Sequence, residues 1–130
     1  MKHREAVAAV IIHEGKILCV QKGIGKHAYD SLKYEFPGGK IEKEETEEQA
    51  VIREVKEELN MDITVSHKLM TVDHQYPDLH ISMHAFICNC KEAKVTLTEH
   101  VDYQWLFPKE LSRLDWADAE IAIAKKLETI

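Results

Sequence analysis

Gly39-Lys40-Ile41-Glu42-Lys43-Glu44-Glu45-Thr46-Glu47-Glu48-Gln49-Ala50-Val51-Ile52-Arg53-Glu54-Val55-Lys56-Glu57-Glu58-Leu59-Asn60-Met61 is the stretch whose reading decides the fold. Its first third follows Pro37-Gly38 and is polar, which predicts a loop. Thr46 then offers a hydroxyl cap, and Gln49 three residues on completes a capping-box pattern. Val51, Val55 and Leu59 recur at i, i+4 and i+8, so a helix is expected to run to Leu59 with that face in the core. Asn60 suits the left-handed residue that ends such a helix.

Another face of the same helix carries Glu54, Glu57 and Glu58 at i, i+3 and i+4. At an effective dielectric near 20, two such charges about 6 Å apart repel by roughly 3 kcal/mol. A chain tolerates that when water bathes the face or a cation sits among the carboxylates. Three glutamates alone read more readily as a solvated face. The context favours a site. Arg53 adjoins Glu54, the glycines of Pro37-Gly38-Gly39 let backbone approach a ligand closely, and Lys40 supplies a point charge for phosphate. Magnesium takes few protein carboxylates and keeps waters and phosphate oxygens, so a magnesium–polyphosphate site fits this pattern.

Outward from this stretch, Ala6 to His13 reads as a buried strand, Glu14-Gly15 as a turn and Lys16 to Gln21 as the second arm of a hairpin. A loop from Gly23 to Leu32 and a short extended piece from Tyr34 to Phe36 lead into the decisive stretch. Beyond it, Ile63 to Thr71, Ile81 to Cys90 and Val101 to Leu106 read as strands, and Pro108 to Leu111 as a short turn or helix. Ala117 to Leu127 reads as a last helix, with Ile121, Ala124 and Leu127 on one face. Strands around a central helix with a closing helix predict an α/β (α+β) sandwich.

The 130 residues suffice for one domain. A formal net charge of -6 makes the chain a poor candidate for coating a nucleic-acid backbone, which usually needs a basic stripe. The longest apolar run, Ala6 to Ile12, is too short to span a bilayer, and no signal peptide is expected. Cys19, Cys88 and Cys90 form no disulfide framework and suit a reducing cytoplasm as buried thiols. His80 and His84 lie about 13 Å apart on one strand face, too far to share an ion; they are expected as polar face residues, one of them beside a base pocket.

Gly39, five residues, Glu45, seven residues and Arg53-Glu54-Val55-Lys56-Glu57-Glu58-Leu59-Asn60-Met61 together resemble the Nudix box, with Asn60 where that family has glycine. Lys33 to Glu42, Glu48 to Val51, Tyr76-Pro77-Asp78 and Ala124-Lys125 resemble the MutT-like branch. Glu99-His100 ahead of Trp105, with Ala117 to Ile121, resembles its CTP pyrophosphohydrolase-like members.

The resemblance implies a single domain over residues 1–130: a Nudix-type α/β/α sandwich with a mixed sheet and a loop-helix-loop motif. It implies Mg2+-dependent hydrolysis of a (deoxy)nucleoside triphosphate, of CTP/dCTP or oxidised-purine type, to monophosphate and pyrophosphate, with Mn2+ able to substitute. The metal ligands would be the Gly38 carbonyl, Glu54, Glu57 and Glu58. Glu54 would deprotonate water, with Arg53 and Glu57 in the catalytic set and Glu99 as an extra base or ligand; Gln104 stands where the branch has a glutamate before the tryptophan. Gly39 and Glu45 would support the box. Lys22 and Lys40 would meet the phosphates, Phe36 and Tyr76 the base faces, and Asp118 or Glu120 the base edge. The partner would be a small nucleotide, with neither nucleic acid nor membrane, for a monomer or homodimer. Other readings are a hydrolase of ADP-ribose, a nucleotide sugar or a dinucleotide polyphosphate, and a silent nucleotide-sensing module.

Overall fold

Strand β1 (Lys2–His13) is the spine of the sheet in the computed structural model, which describes residues 2–130. Val7, Ala9 and Ile11 are buried on one side of it, and Ala8 and Val10 on the other. Both faces are therefore covered, which an all-apolar strand requires. β1 turns at Glu14-Gly15, both with positive φ, into β2 (Lys16–Gln21). Only Ile12 and His13 pair with β2 before the two strands part. Into that gap run β3 (Tyr34–Glu35), paired with β2, and β4 (Gly38–Lys40), paired with β1. The chain through Pro37 is thus wedged into the middle of the sheet.

Helix α1 (Glu47–Leu59) follows with the expected capping box between Thr46 and Gln49, and ends at Asn60 in the left-handed region, φ 52°. A long hairpin, β5 (Ile63–Tyr76) and β6 (Leu79–Cys90), lays β6 parallel to β1. β7 (Asp102–Leu106) pairs with β2 on its other edge. A 3-10 turn (Pro108–Arg113) leads to α2 (Asp118–Glu128). The sheet order is β3-β2-β1-β6-β5, mixed in direction.

One core lies under α1, built on Val51, Val55, Leu59, Phe86 and Leu18; the other lies under α2, built on Ile123, Leu127, Leu111, Ile17 and Val10. This is the expected α/β/α sandwich. Gly38–Lys40, expected as the start of a loop, forms strand β4, and three strands run past their expected ends. β1, β5 and β6 reach further, through His3, Glu5, Asp73, His74 and His80, because backbone ladders to neighbouring strands hold polar residues as well as apolar ones. Ile121 is exposed, and the inward face of α2 is Ala119, Glu120, Ile123, Ala124 and Leu127. His80 and His84 line no cavity beside a base pocket: their side of β6 faces away from α2. Among the described residues no helix is long and apolar enough to cross a membrane.

Candidate active site

Arg53 organises the loop before α1. Its Nε donates to Glu45 at 2.6 Å and one terminal nitrogen to Glu45 at 2.9 Å and to the Lys40 carbonyl at 3.0 Å. Its other terminal nitrogen reaches Glu54 at 3.0 Å and Glu57 at 3.2 Å. Glu45 in turn accepts from the Glu42 amide, so one bidentate pair ties loop to helix. Arg53 and that amide hold the Glu45 carboxyl below its usual range. Two glycines set the distances. A Cβ on Gly38 would stand 1.9 Å from the Val7 carbonyl oxygen, and one on Gly39 would stand 2.7 Å from the Glu54 carboxyl.

The three glutamates differ in environment although they share a helix face. Glu57 is exposed, Glu54 is mostly covered and Glu58 is buried. Glu58 accepts weakly from the Gly38 amide at 3.4 Å. Burial, contact with Glu54 and the charges of Glu35, Glu54 and Glu99 push its carboxyl up to about 10. Behind it His100 places Nε2 2.9 Å from Glu35 and 3.9 Å from Glu58, and its buried Nδ1 has no partner. A carboxyl kept neutral among carboxylates marks a place short of positive charge. The donors around it are oxygens, the chemistry that suits a hard divalent ion. Among the described residues no three carboxylate, histidine or thiol groups yet converge on one point; Arg53 occupies Glu54 and Glu57 in this arrangement.

Gly38 and Gly39 also border a cavity of about 390 Å³ between the sheet and α2. Lys2, Arg4, Lys22, Lys26 and Lys40 line it, as do Tyr76, Leu79 and Met83. Asp30, Glu35, Asp78 and Glu120 share that lining, so the cations stand among carboxylates. Glu120 projects into it, wholly buried, and accepts from the Phe36 amide at 3.0 Å. Burial first, and then the charge of Glu35, raises its carboxyl to about 8. A larger depression, about 650 Å³, lies at the far end of α1 around Asn60 and Lys91 and holds none of the expected site residues.

Lys22, Lys40, Tyr76 and Glu120 therefore meet at one cavity beside Glu54 and Glu58. Phe36 also borders the cavity, with its ring stacked on Trp116 at 4.6 Å, and like Tyr76 it is buried. One expectation needs correction. Asp118 is the exposed first residue of α2 and lies outside the cavity lining, because the buried face begins at Ala119. Glu99 is exposed near Glu58, whereas Gln104 donates to the Tyr34 hydroxyl at 3.0 Å, on β7. Several cavity residues carried no sequence signal. Tyr29 stacks on Tyr76 at 4.5 Å and under His27 at 4.8 Å, and donates to Asp78 at 2.6 Å. Tyr29 and His27 come from an irregular loop, and Lys2 and Arg4 from the polar start of β1, where no periodicity points to a site.

Comparison with known proteins accords with this arrangement. Residues 2–127 match the NUDIX domain. The chain is 32% identical to the CTP pyrophosphohydrolase of Escherichia coli (strain K12) over 95% of this chain and 90% of that one. It is 48% identical to the 8-oxo-dGTP diphosphatase of Proteus vulgaris over 66 residues, 51% of this chain and 57% of that one. The solution structure of the DNA mismatch repair protein MutT (family Nudix hydrolase) from methicillin-resistant Staphylococcus aureus 252 superposes with a TM-score of 0.78 at 40% identity, covering 99% of this chain and 98% of that one. With the charged positions of the box present around Arg53 and the match running almost end to end, the chain belongs to the Nudix hydrolase family.

Proposed function

We propose that the protein hydrolyses a nucleoside triphosphate to the monophosphate and pyrophosphate in a magnesium-dependent reaction in the cytoplasm. The observation that carries this reading is the junction of a carboxylate cluster with a cation-bearing cavity. The Glu54–Glu57–Glu58 cluster abuts, through Gly38 and Gly39, a cavity where Lys2, Arg4, Lys22, Lys26 and Lys40 stand among Asp30, Glu35, Asp78 and Glu120. Such a pairing suits a phosphate chain bridged by a divalent ion.

Glu54, Glu57, Glu58 and the Gly38 carbonyl would hold the ion, which when bound would spread the charge developing on the phosphoryl oxygens. Lys22 and Lys40 orient the phosphates. Glu54, pinned by Gly39 on one side and Arg53 on the other, accepts the proton of the attacking water. Glu99 adds negative charge behind Glu58, and Gln104 holds Tyr34 rather than moving a proton. Neutral Glu120 presents an O–H donor to a base edge while its other oxygen keeps the Phe36 amide. The two relatives' names point to a pyrimidine and an oxidised purine triphosphate as the bases to compare.

The test is a panel of CTP, dCTP, 8-oxo-dGTP, the common triphosphates and ADP-ribose, with Mg2+ or Mn2+, following pyrophosphate and monophosphate together. One pyrophosphate per monophosphate from a triphosphate is expected. Turnover of ADP-ribose with none of any triphosphate would overturn the reading. Glu57→Gln should lower turnover ~100-fold or more, since a lost metal ligand removes several kcal/mol of charge stabilisation. Its melting temperature in the absence of metal should stay that of the parent, because Glu57 is exposed.

A further inference from the structure

The far end of the α1 side of the sheet is polar. His3 and Glu5 share the face of Val7 and Ala9, and His80, Ser82 and His84 share that of Phe86 and Cys88. His3 lies beside His80 and Glu5 beside Ser82 across the parallel ladder, while Asp73 and Thr71 of β5 pair with Ser82 and His84. His84 meets Glu47 at the start of α1 and is buried with Ser82, whereas His3 and His80 are both solvent-exposed.

Each of these two rings has its outer nitrogen committed to a carboxylate. His3 Nε2 is hydrogen-bonded to Glu5, and His80 Nε2 lies 3.6 Å from Asp73. Glu5 also holds His84 Nε2 at 2.8 Å, and its two histidine hydrogen bonds pull its carboxyl down to about 2. Asp73 is itself held by the Ser82 hydroxyl. A carboxylate facing Nε2 favours the tautomer with the proton there. The remaining Nδ1 atoms then carry lone pairs, and they approach each other to 2.9 Å with the rings inclined by 56°. A proton on one Nδ1 makes this an ordinary hydrogen bond, and a metal ion can take that proton's place.

We infer that His3 and His80 form a surface site for a late first-row divalent ion such as Cu2+ or Ni2+, bound through the two Nδ1 atoms with water completing its shell. With metal–nitrogen bonds of roughly 2.0–2.1 Å, neighbouring ligands at a right angle stand about 2.9 Å apart, the spacing of tetragonal rather than tetrahedral coordination. Imidazole nitrogens favour such ions over magnesium. The Glu5 and Asp73 contacts are those that orient metal-bound histidines. The alternate residues of the same two strand ends, Lys2, Arg4, Leu79 and Ile81, line the cavity on the opposite face. A bound ion therefore staples the strand ends that form the cavity's rim.

The test titrates Cu2+ into the full chain, N-terminally acetylated and free of any histidine tag, with excess Mg2+ to fill the carboxylate site. Electron paramagnetic resonance should show one equivalent coupled to two nitrogens. Ni2+ should selectively broaden the His3 and His80 imidazole resonances of the same acetylated chain with both histidines present, and should raise its melting temperature. His3→Gln and His80→Gln should each remove the two-nitrogen signature, with amide spectra verifying the fold. Glu5→Gln should keep the signature and weaken affinity ~10-fold, as loss of an orienting partner does. Glu57→Gln should change nothing. Absence of binding under these conditions, oxygen-only coordination, an unchanged signature in either histidine variant, or loss of Cu2+ in Glu57→Gln would each overturn the site.

Discussion

Single atoms decide the geometry around Gly38 and Gly39, and the two positions should respond differently to one added methyl. At Gly38 the methyl meets backbone, the Val7 carbonyl oxygen, which cannot swing aside. Gly38→Ala should therefore destabilise the fold by about 1–3 kcal/mol in urea unfolding, the usual cost of overpacking. At Gly39 the methyl meets the movable end of Glu54. Gly39→Ala should cost less stability and more activity, seen as a fall in kcat larger than the change in urea midpoint implies; equal stability losses at both positions would contradict this account. Glu120 supplies a pH signature. Its carboxyl is raised from 4.5 to about 8, so the folded state holds this proton more tightly than the unfolded chain does. That contribution to stability is complete below the ordinary value and is lost as pH rises through the folded one. Glu120→Gln keeps an oxygen for the Phe36 amide and cannot ionise. Between about pH 5 and 8 its melting temperature should decline less steeply than that of the parent, and parallel declines would exclude the assignment.

Among the elements, α1 is the one whose limits the chain states outright. The Thr46–Gln49 capping box satisfies the Thr46 and Gln49 amides, so Thr46→Ala should cost about 1 kcal/mol by thermal or urea unfolding. A loss within error would show that Arg53 and Glu45 hold the helix start by themselves. The ends of β1, β5 and β6 were hidden by polar composition, since strand propensity reports side-chain burial while the ladder is made by backbone. α2 shows the converse. Ile121 fits the helical period, yet the helix turns Glu120 and Ile123 inward, where Glu120 satisfies the Phe36 amide of the chain wedged between β1 and β2.

Across the whole molecule the sheet separates the two larger cores, which share no buried side chain, and a smaller cluster of Ala6, Tyr76, Ile81 and Ala119 sits beside them. Leu59 under α1 and Leu127 under α2 are each buried. Either Leu→Ala change should cost about 2–5 kcal/mol, and the double variant the sum, as expected for sites without common partners. A double-mutant urea series that departs from additivity by more than about 0.5 kcal/mol would mean that the sheet transmits strain between the layers. The order of the strands also explains why the site forms where it does. Because β1 and β2 part after two paired residues, Tyr34 to Lys40 enters the sheet, and the box glycines arrive between the carboxylates of α1 and the cavity under α2.

By itself the sequence determined the helix with its capping box, its core face and its carboxylate face, together with the loop glycines and the family these define. Those features depend on residues within about one helical turn to two dozen positions of each other, where spacing maps directly onto geometry. Tertiary structure alone decided that Glu58 is buried while Glu57 is exposed, that Phe36 belongs to the core, that Asp118 stands outside the cavity, and that Tyr29, Lys2 and Arg4 join Tyr76 and Glu120 inside it. It alone brought His3 against His80, 77 residues apart in the chain. Burial and charge environment depend on which distant segments pack together, and no local period in the chain encodes that.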